Sequence, residues 1–218
     1  MMSVVDPKAL EKAFAEAKAN SKPRNFTQSM ELIVNLKGIN MKSPESRINE
    51  AVPLPNTSGK PVKICVIADG DLIFKAKEAG ADTVLTKADL EKLAGDKKSA
   101  KKLANSHDFF VARADLMPLI GRILGPILGP RGKMPEPIPP TADVKPIIDR
   151  LRKSVRIRTR DQPVVKCRIG VETMSDSALA ENAMAVLSAI EKKFSLKQHL
   201  DSIYVKTTMG PPVEVEVD

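Results

Sequence analysis

Between Asp115 and Pro137 the chain reads DLMPLIGRILGPILGPRGKMPEP, in which Gly121, Gly125, Gly129 and Gly132 alternate with Pro118, Pro126, Pro130, Pro135 and Pro137. Arg122, Arg131 and Lys133 supply its positive charge. A Gly-Lys pair in such a stretch is first a candidate phosphate cradle, and spacing decides the matter. A P-loop needs glycine, four residues, then Gly-Lys-Ser/Thr. Here Gly132-Lys133 is followed by Met134, and the position five before Gly132 is Ile127. The dinucleotide pattern G-x-G-x-x-G fails too, because two residues after Gly125 comes Ile127. The stretch holds no His, Cys, Ser or Thr, so nucleophilic and metal chemistry have nothing to work with. Glycine admits close backbone approach and proline fixes φ, so the segment is read as a rigid, shaped loop between two helices.

A second concentration of chemistry lies downstream. Arg150, Arg152, Lys153, Arg156, Arg158, Arg160, Lys166 and Arg168 face a single acid, Asp161, and account for nearly the whole formal net charge of +8. Over Val155–Arg160 the arginines fall at alternate positions, so Arg156, Arg158 and Arg160 share one face of an extended segment. Arginine offers bidentate hydrogen bonds to phosphate, and three of them with no interleaved acid point to a polyanion such as RNA. The alternative is a solvated strand face that keeps a sheet soluble. Lys97, Lys98, Lys101 and Lys102 form a further basic group, on a helix, read as solvated surface.

The chain has 218 residues, enough for a substantial core, and with 3% aromatic content and no Trp that core must be aliphatic. No apolar run approaches the roughly 20 residues of a membrane span, and MMSVVDPKALEKAF lacks the basic-then-apolar order of a secretory signal. Membrane partners are therefore not expected. Cys65 and Cys167 lie far apart in extended segments, as buried reduced thiols of a cytoplasmic protein do. His107 and His199 have no ligand spacing, so neither metal nor cofactor is expected.

These residues need elements to hold them. Asp6-Pro7 opens a first helix that runs to about Ser21 and ends before Lys22-Pro23. Phe26–Lys37 then alternates, with Met30, Leu32, Val34 and Leu36 on one face and Glu31, Ile33 and Asn35 on the other. An extended stretch follows over Arg47–Leu54, and the Pro/Gly/Asn/Ser-rich run after it marks a boundary. Beyond it Val62–Ala68 is a continuously apolar strand, followed by Asp69-Gly70-Asp71, a helix to Ala79 and the strand Thr83–Leu85. Helices at Ala88–Ala94 and Lys97–Asn105, the strand Asp108–Ala112, a helix from Asp115 leading into the Gly/Pro loop, and a helix from Asp143 to about Lys153 complete a parallel-type α/β section. After Ser154 the alternating grammar returns: strands at Val155–Arg160, Val164–Ile169, Ser202–Thr208 and Val213–Val217, with a long helix over Asp176–Phe194. The two outer pieces are each short of elements, and together make two helices on a sheet. One discontinuous domain, 1–60 plus 156–218, is thus expected around an inserted domain, 61–155, with a hinge at the two connections.

Three blocks tie this layout to a known family. Leu128-Gly129-Pro130-Arg131-Gly132-Lys133-Met134-Pro135 resembles the diagnostic block of the ribosomal protein L-one family, in its archaeal type. Lys22-Pro23-Arg24-Asn25-Phe26-Thr27 and Thr207-Thr208-Met209-Gly210-Pro211 resemble two further blocks, in the same order. The resemblance covers essentially the whole chain. It implies a split β-α-β-like RNA-binding domain carrying a Rossmann-like, three-layer α/β insert. It also implies a non-enzymatic, cytoplasmic protein that binds large-subunit rRNA and is a monomer off the ribosome. The insert would form the mobile stalk near the tRNA exit site and assist release of deacylated tRNA, and the protein would repress its own messenger RNA. RNA contacts carry over onto Phe26, Ser29, Glu31, Thr207, Thr208, Met209 and Gly210, with Arg156, Arg158, Lys166 and Arg168 supplying attraction and orientation. Glu31 would accept a hydrogen bond from a 2′-hydroxyl. The acidic C-terminus, from Glu214, is excluded from the contact surface.

Two other functions compete. A nucleotide-dependent enzyme is suggested by Asp69-Gly70-Asp71 after the first apolar strand, but no phosphate loop or nucleophile–base pair accompanies it, and the acids are read as capping and turn residues. A nonspecific nucleic-acid coat would show no preference among RNAs.

Overall fold

The computed structural model describes residues 5–43 and 46–217. Contacts divide the chain into two compact units, Met1–Lys60 with Lys153–Asp218, and Pro61–Arg152. In chain order the first unit opens with α1 (Pro7–Ala19), β1 (Ser29–Leu36) and β2 (Asn49–Pro53). The second unit comprises β3 (Ile64–Ile67), α2 (Asp71–Glu78), β4 (Thr83–Leu85), α3 (Lys87–Gly95), α4 (Lys97–Ser106), β5 (Phe109–Arg113), α5 (Met117–Ile123), α6 (Gly125–Arg131), β6 (Glu136–Ile138) and α7 (Lys145–Arg152). The chain then returns with β7 (Ser154–Arg158), β8 (Val164–Val171), α8 (Asp176–Glu191), α9 (Leu196–His199), β9 (Leu200–Thr207) and β10 (Val213–Glu214). Strand β7 lies wholly in the first unit, so Ser154 and Val155 go with it rather than with the insert.

In the first unit an antiparallel sheet runs in the order β10-β9-β1-β8. Helix α1 starts because Asp6 accepts a hydrogen bond from the Lys8 N–H at 3.0 Å and Pro7 occupies its first turn. Its Leu10, Ala13, Phe14 and Ala17 pack with Leu179, Ala183, Val186 and Ile190 of α8 over the apolar face of the sheet: Met30, Leu32, Val34, Val165, Ile203 and Val205. Each large side chain so buried contributes about 2 kcal/mol. A polar pin crosses this core. Asn182, fully buried on α8, donates from Nδ2 to the Ile169 carbonyl at 2.8 Å and accepts the Asn56 N–H at 2.9 Å. Among the described residues, α1 and α8 both pack on this apolar face. A separate two-stranded sheet pairs β2 with β7, placing Arg156 beside Ala51 and Arg158 beside Asn49.

The second unit is a parallel sheet in the order β4-β3-β5-β6. All four residues of β3 are buried, as its unbroken apolar sequence requires. Cys65, Ile67, Phe110 and Ala112 face a helical layer built from α3, α4, α5 and α6, while α7 packs against β3 and α2. Three sequence expectations need correction here. A helix from Asp115 is present as a 3-10 turn and α5, but the Gly/Pro stretch after it is not a loop: it forms a second short helix, α6, and both α5 and α6 are opened by a proline at N1 or N2. Strand β6, which contains Pro137, was not anticipated; it lies at the sheet edge, where a missing N–H is tolerated. Neither Asp69 nor Asp71 caps α2, whose N-cap is Gly70 with no side-chain hydrogen bond, although Asp69 does close the turn onto the Gly70 N–H. The terminal strand is also shorter than its alternation suggests, ending at Glu214, and α9 is an additional turn of helix.

Asn182→Leu would leave the Asn56 N–H and Ile169 carbonyl without their partner; a loss of about 1–3 kcal/mol in denaturant unfolding is expected, and an unchanged midpoint would contradict the pin. Both cysteines are free and buried, and burial pushes each thiol from 9.0 up to about 12. The folded chain keeps these protons where the unfolded chain loses them, so the stability they provide is complete below about pH 9 and lost as pH rises toward 12. Replacing both with Ala should flatten the alkaline decline of the unfolding midpoint; an identical slope would show that other groups set it.

Candidate nucleic-acid interface

The interface residues gather where the start of β1 meets the end of β9. The two segments are 179 residues apart in sequence, yet the Ser29 N–H donates to Thr208 Oγ1 at 3.0 Å and the Thr208 N–H donates to the Ser29 carbonyl at 3.0 Å. Gln28 makes the junction rigid. It is 1% exposed, its Oε1 accepts the Met209 N–H at 3.1 Å, and its Nε2 donates to Ser21 Oγ at 2.8 Å and to Glu172 Oε2 at 3.2 Å. Its own N–H donates to Glu172 Oε1 at 2.8 Å, and its carbonyl accepts the Glu172 N–H at 3.0 Å. One amide thus ties together the end of α1, the start of β1, the end of β8 and the β9–β10 turn. Sequence reading passed over Gln28 and Glu172; a polar residue in the phase just before an alternating strand was the one signal available.

On this frame the expected contact residues divide. Phe26 and Met209 are 51% and 59% exposed, unusual for large apolar side chains, and both project from the pinned segments. Glu31, Thr208 and Gly210 are half-buried and reachable. Thr207 is fully buried and its hydroxyl donates to Ser21 Oγ at 2.9 Å, inside the junction. Ser29 is likewise buried and serves through its backbone. Gly210 is required by contact: a Cβ there would sit 2.3 Å from Thr207 Oγ1.

The basic residues separate as well. Glu31 lies directly between Arg168 of β8 and Lys206 of β9, and Ile33 between Lys166 and Tyr204, all on the sheet face away from the helices. A register shift between Met30 and Glu31 breaks the ladder beside this row. Arg168 donates to Ser58 Oγ at 3.3 Å, while its Nε is buried without a hydrogen-bond partner. Arg156 and Arg158 stand on the other sheet, half-buried on β7.

The block Gly129–Pro135 belongs to the second unit and is architectural. Helix α6 ends in a Schellman motif: Lys133 N–H donates to the Leu128 carbonyl, Gly132 N–H to the Gly129 carbonyl, and Gly132 takes φ 68°. Its two cations are spent internally. Lys133 Nζ donates to the Ala104 and His107 carbonyls at 2.9 and 2.6 Å, closing the C-terminus of α4. Arg131 donates to the Ile127 carbonyl at 2.9 Å and to Asn105 Oδ1 at 3.3 Å. Pro130 falls in the last turn, Pro135 is buried, and Met134 is exposed. Among the described residues no group of three or more His, Cys, Asp or Glu side chains is placed to hold a metal ion, and no helix is long and apolar enough to cross a membrane.

An antiparallel sheet backed by two helices, split in sequence around a parallel α/β unit, defines a two-unit α/β protein whose candidate site is the edge where β1 meets β9. The family model described as "Ribosomal protein L1p/L10e family" matches residues 15–211, and the chain belongs to that family. It is similar to the large ribosomal subunit protein uL1 of Methanothermobacter thermautotrophicus, 55% identical over 204 residues, covering 93% of this chain and 96% of that protein. The same-named protein of Archaeoglobus fulgidus is 55% identical over 213 residues, covering 97% and 99%. That of Thermofilum pendens is 56% identical over 209 residues, covering 95% and 92%. Membership makes this a structural protein of translation and not an enzyme.

Lys133→Gln removes the charge from two carbonyl contacts. The insert should lose about 1–3 kcal/mol of stability, seen as earlier amide exchange in α4 and α6; unaltered exchange would refute the capping role.

Proposed function

We propose that this protein binds large-subunit rRNA directly through the edge formed by Phe26, Glu31, Thr208, Met209 and Gly210, with Arg156, Arg158, Lys166 and Arg168 supplying attraction and orientation. The observation that carries this reading is the Gln28–Glu172 network: it holds two exposed apolar side chains and several reachable polar groups on one buried, hydrogen-bonded frame. Preorganisation of that kind favours reading a folded RNA by shape, phosphates and 2′-hydroxyls. Membership of a ribosomal protein family and the names of the relatives support the same partner.

In this reading the protein is a monomer off the ribosome and sits on the large subunit in the cytoplasm. The second unit forms the mobile stalk near the tRNA exit site and assists release of deacylated tRNA. The same edge represses translation of the protein's own messenger RNA by binding a mimic of the rRNA site, which requires tighter binding to rRNA than to message.

The test compares the stalk-region rRNA fragment with an unrelated structured RNA of equal length across a salt series, using intact protein and Met209→Asp. The fragment should bind far more tightly at moderate salt, and the variant should lose about 30-fold or more, as a central contact does. Equal binding to both RNAs, fading steeply with salt and indifferent to the variant, would leave only a basic surface.

A further inference from the structure

We propose that the open face of the four-stranded sheet holds a stacking subsite for an unpaired nucleobase, with Tyr204 as its platform and Lys166, Arg168 and Lys206 as its phosphate contacts. The proposal rests on the rRNA-binding reading and extends it from the sheet edge onto the sheet. Tyr204 is the chain's single tyrosine. It stands in the middle of β9, half-buried, between Ile203 and Val205, which face the helical core. Its side chain is therefore on the opposite face.

Register fixes what surrounds the ring. Tyr204 pairs with Ile33, which pairs with Lys166; in the adjoining row Lys206 pairs with Glu31, which pairs with Arg168. Residues directly opposite in an antiparallel ladder have Cβ atoms about 5 Å apart. The phenol ring thus lies between the aliphatic Ile33 and Glu214, its direct partner on β10. Lys206 and Arg168 flank Glu31 in the adjoining row and Lys166 stands beyond Ile33, so the cations lie on the side away from Glu214. A flat, partly apolar floor with cations at its rim complements a base whose backbone carries phosphates. The floor is continuous with the proposed edge, because β9 runs on from Tyr204 into Thr208 and β1 begins at Ser29. Four residues of strand span about 13 Å, so a single RNA strand reaches both places.

The test uses full-length protein and the stalk-region rRNA fragment. With no Trp and one Tyr in the chain, its intrinsic near-ultraviolet emission reports Tyr204. The emission should quench saturably as the fragment binds. Tyr204→Phe, which keeps the stacking ring, should bind like the parent, while Tyr204→Ser should lose about 5- to 150-fold at an unchanged unfolding midpoint. Unaltered emission at saturation overturns the proposal even if Tyr204→Ser does not fold; parent-like affinity of Tyr204→Ser also overturns it. If Met209→Asp still abolishes the preference for the fragment in that case, only the stacking subsite is wrong. If parent and Met209→Asp bind both RNAs alike, the rRNA reading fails, and the subsite with it. Quenching by an acidic peptide equal to that by the fragment would assign the face to a protein partner and overturn the nucleobase.

Discussion

Strand β1 is the member on which the first unit depends, because it is the one strand that pairs on both sides with segments from beyond the insert. Its ladders to β8 and β9 bring residues from the two ends of the chain into one plane. Without them α1 has no sheet to cover, and Leu10 and Phe14 have no core to enter. The interface is an extension of the same constraint. Gln28 sits one residue before β1 and reaches Glu172, directly after β8, and Met209, two residues after β9, so the proposed recognition edge is the place where the central strand is stapled to both neighbours.

Cations are used in two different ways by the two units. In the second, Lys133 and Arg131 lie against main-chain carbonyls and are consumed in closing helices. On the open sheet face Lys166, Arg168 and Lys206 surround Glu31 in adjacent rows, and no ion pair to Glu31 forms within 4 Å among the described residues. A basic residue in the most recognisable sequence block is thus structural, whereas less distinctive lysines and arginines stand on the sheet face proposed to meet a polyanion. Sequence signature and ligand contact need not coincide, since a helix terminus restricts its residues as severely as a binding site does.

Much of this was legible in the sequence because period and punctuation act locally. Alternation over Met30–Leu36 identified the buried face of β1 residue by residue, Asp6-Pro7 marked the start of α1, and the unbroken apolar run at Ile64–Ile67 marked a strand covered on both faces. The failures were places where tertiary context overrides a local rule. Glycines and prolines in Gly125–Arg131 suggested a loop, yet Pro126 sits in the first turn of α6, where the missing N–H costs nothing. Strand β6, with Pro137 in it, was not anticipated, and an edge position accommodates it. Thr207 looked like a hydroxyl offered to a ligand and is fully buried, because the strand's inward phase continues to its last residue. Tyr204 and Gln28 drew no notice, since what makes each of them matter is a neighbour far away in the sequence.

The split of the first unit also sets a timetable for synthesis. At roughly 5–20 residues per second, α1 and β1 emerge several seconds before β8 and considerably earlier than β9, while Pro61–Arg152 has all its own partners and is free to fold in the interval. A nascent chain therefore carries a finished insert on an unfinished base. Thr208 and Met209 follow β9 and emerge after every element of the sheet except β10, so the proposed edge is completed long after the insert has been made. A product interrupted before β9 lacks the Thr208 half of that edge.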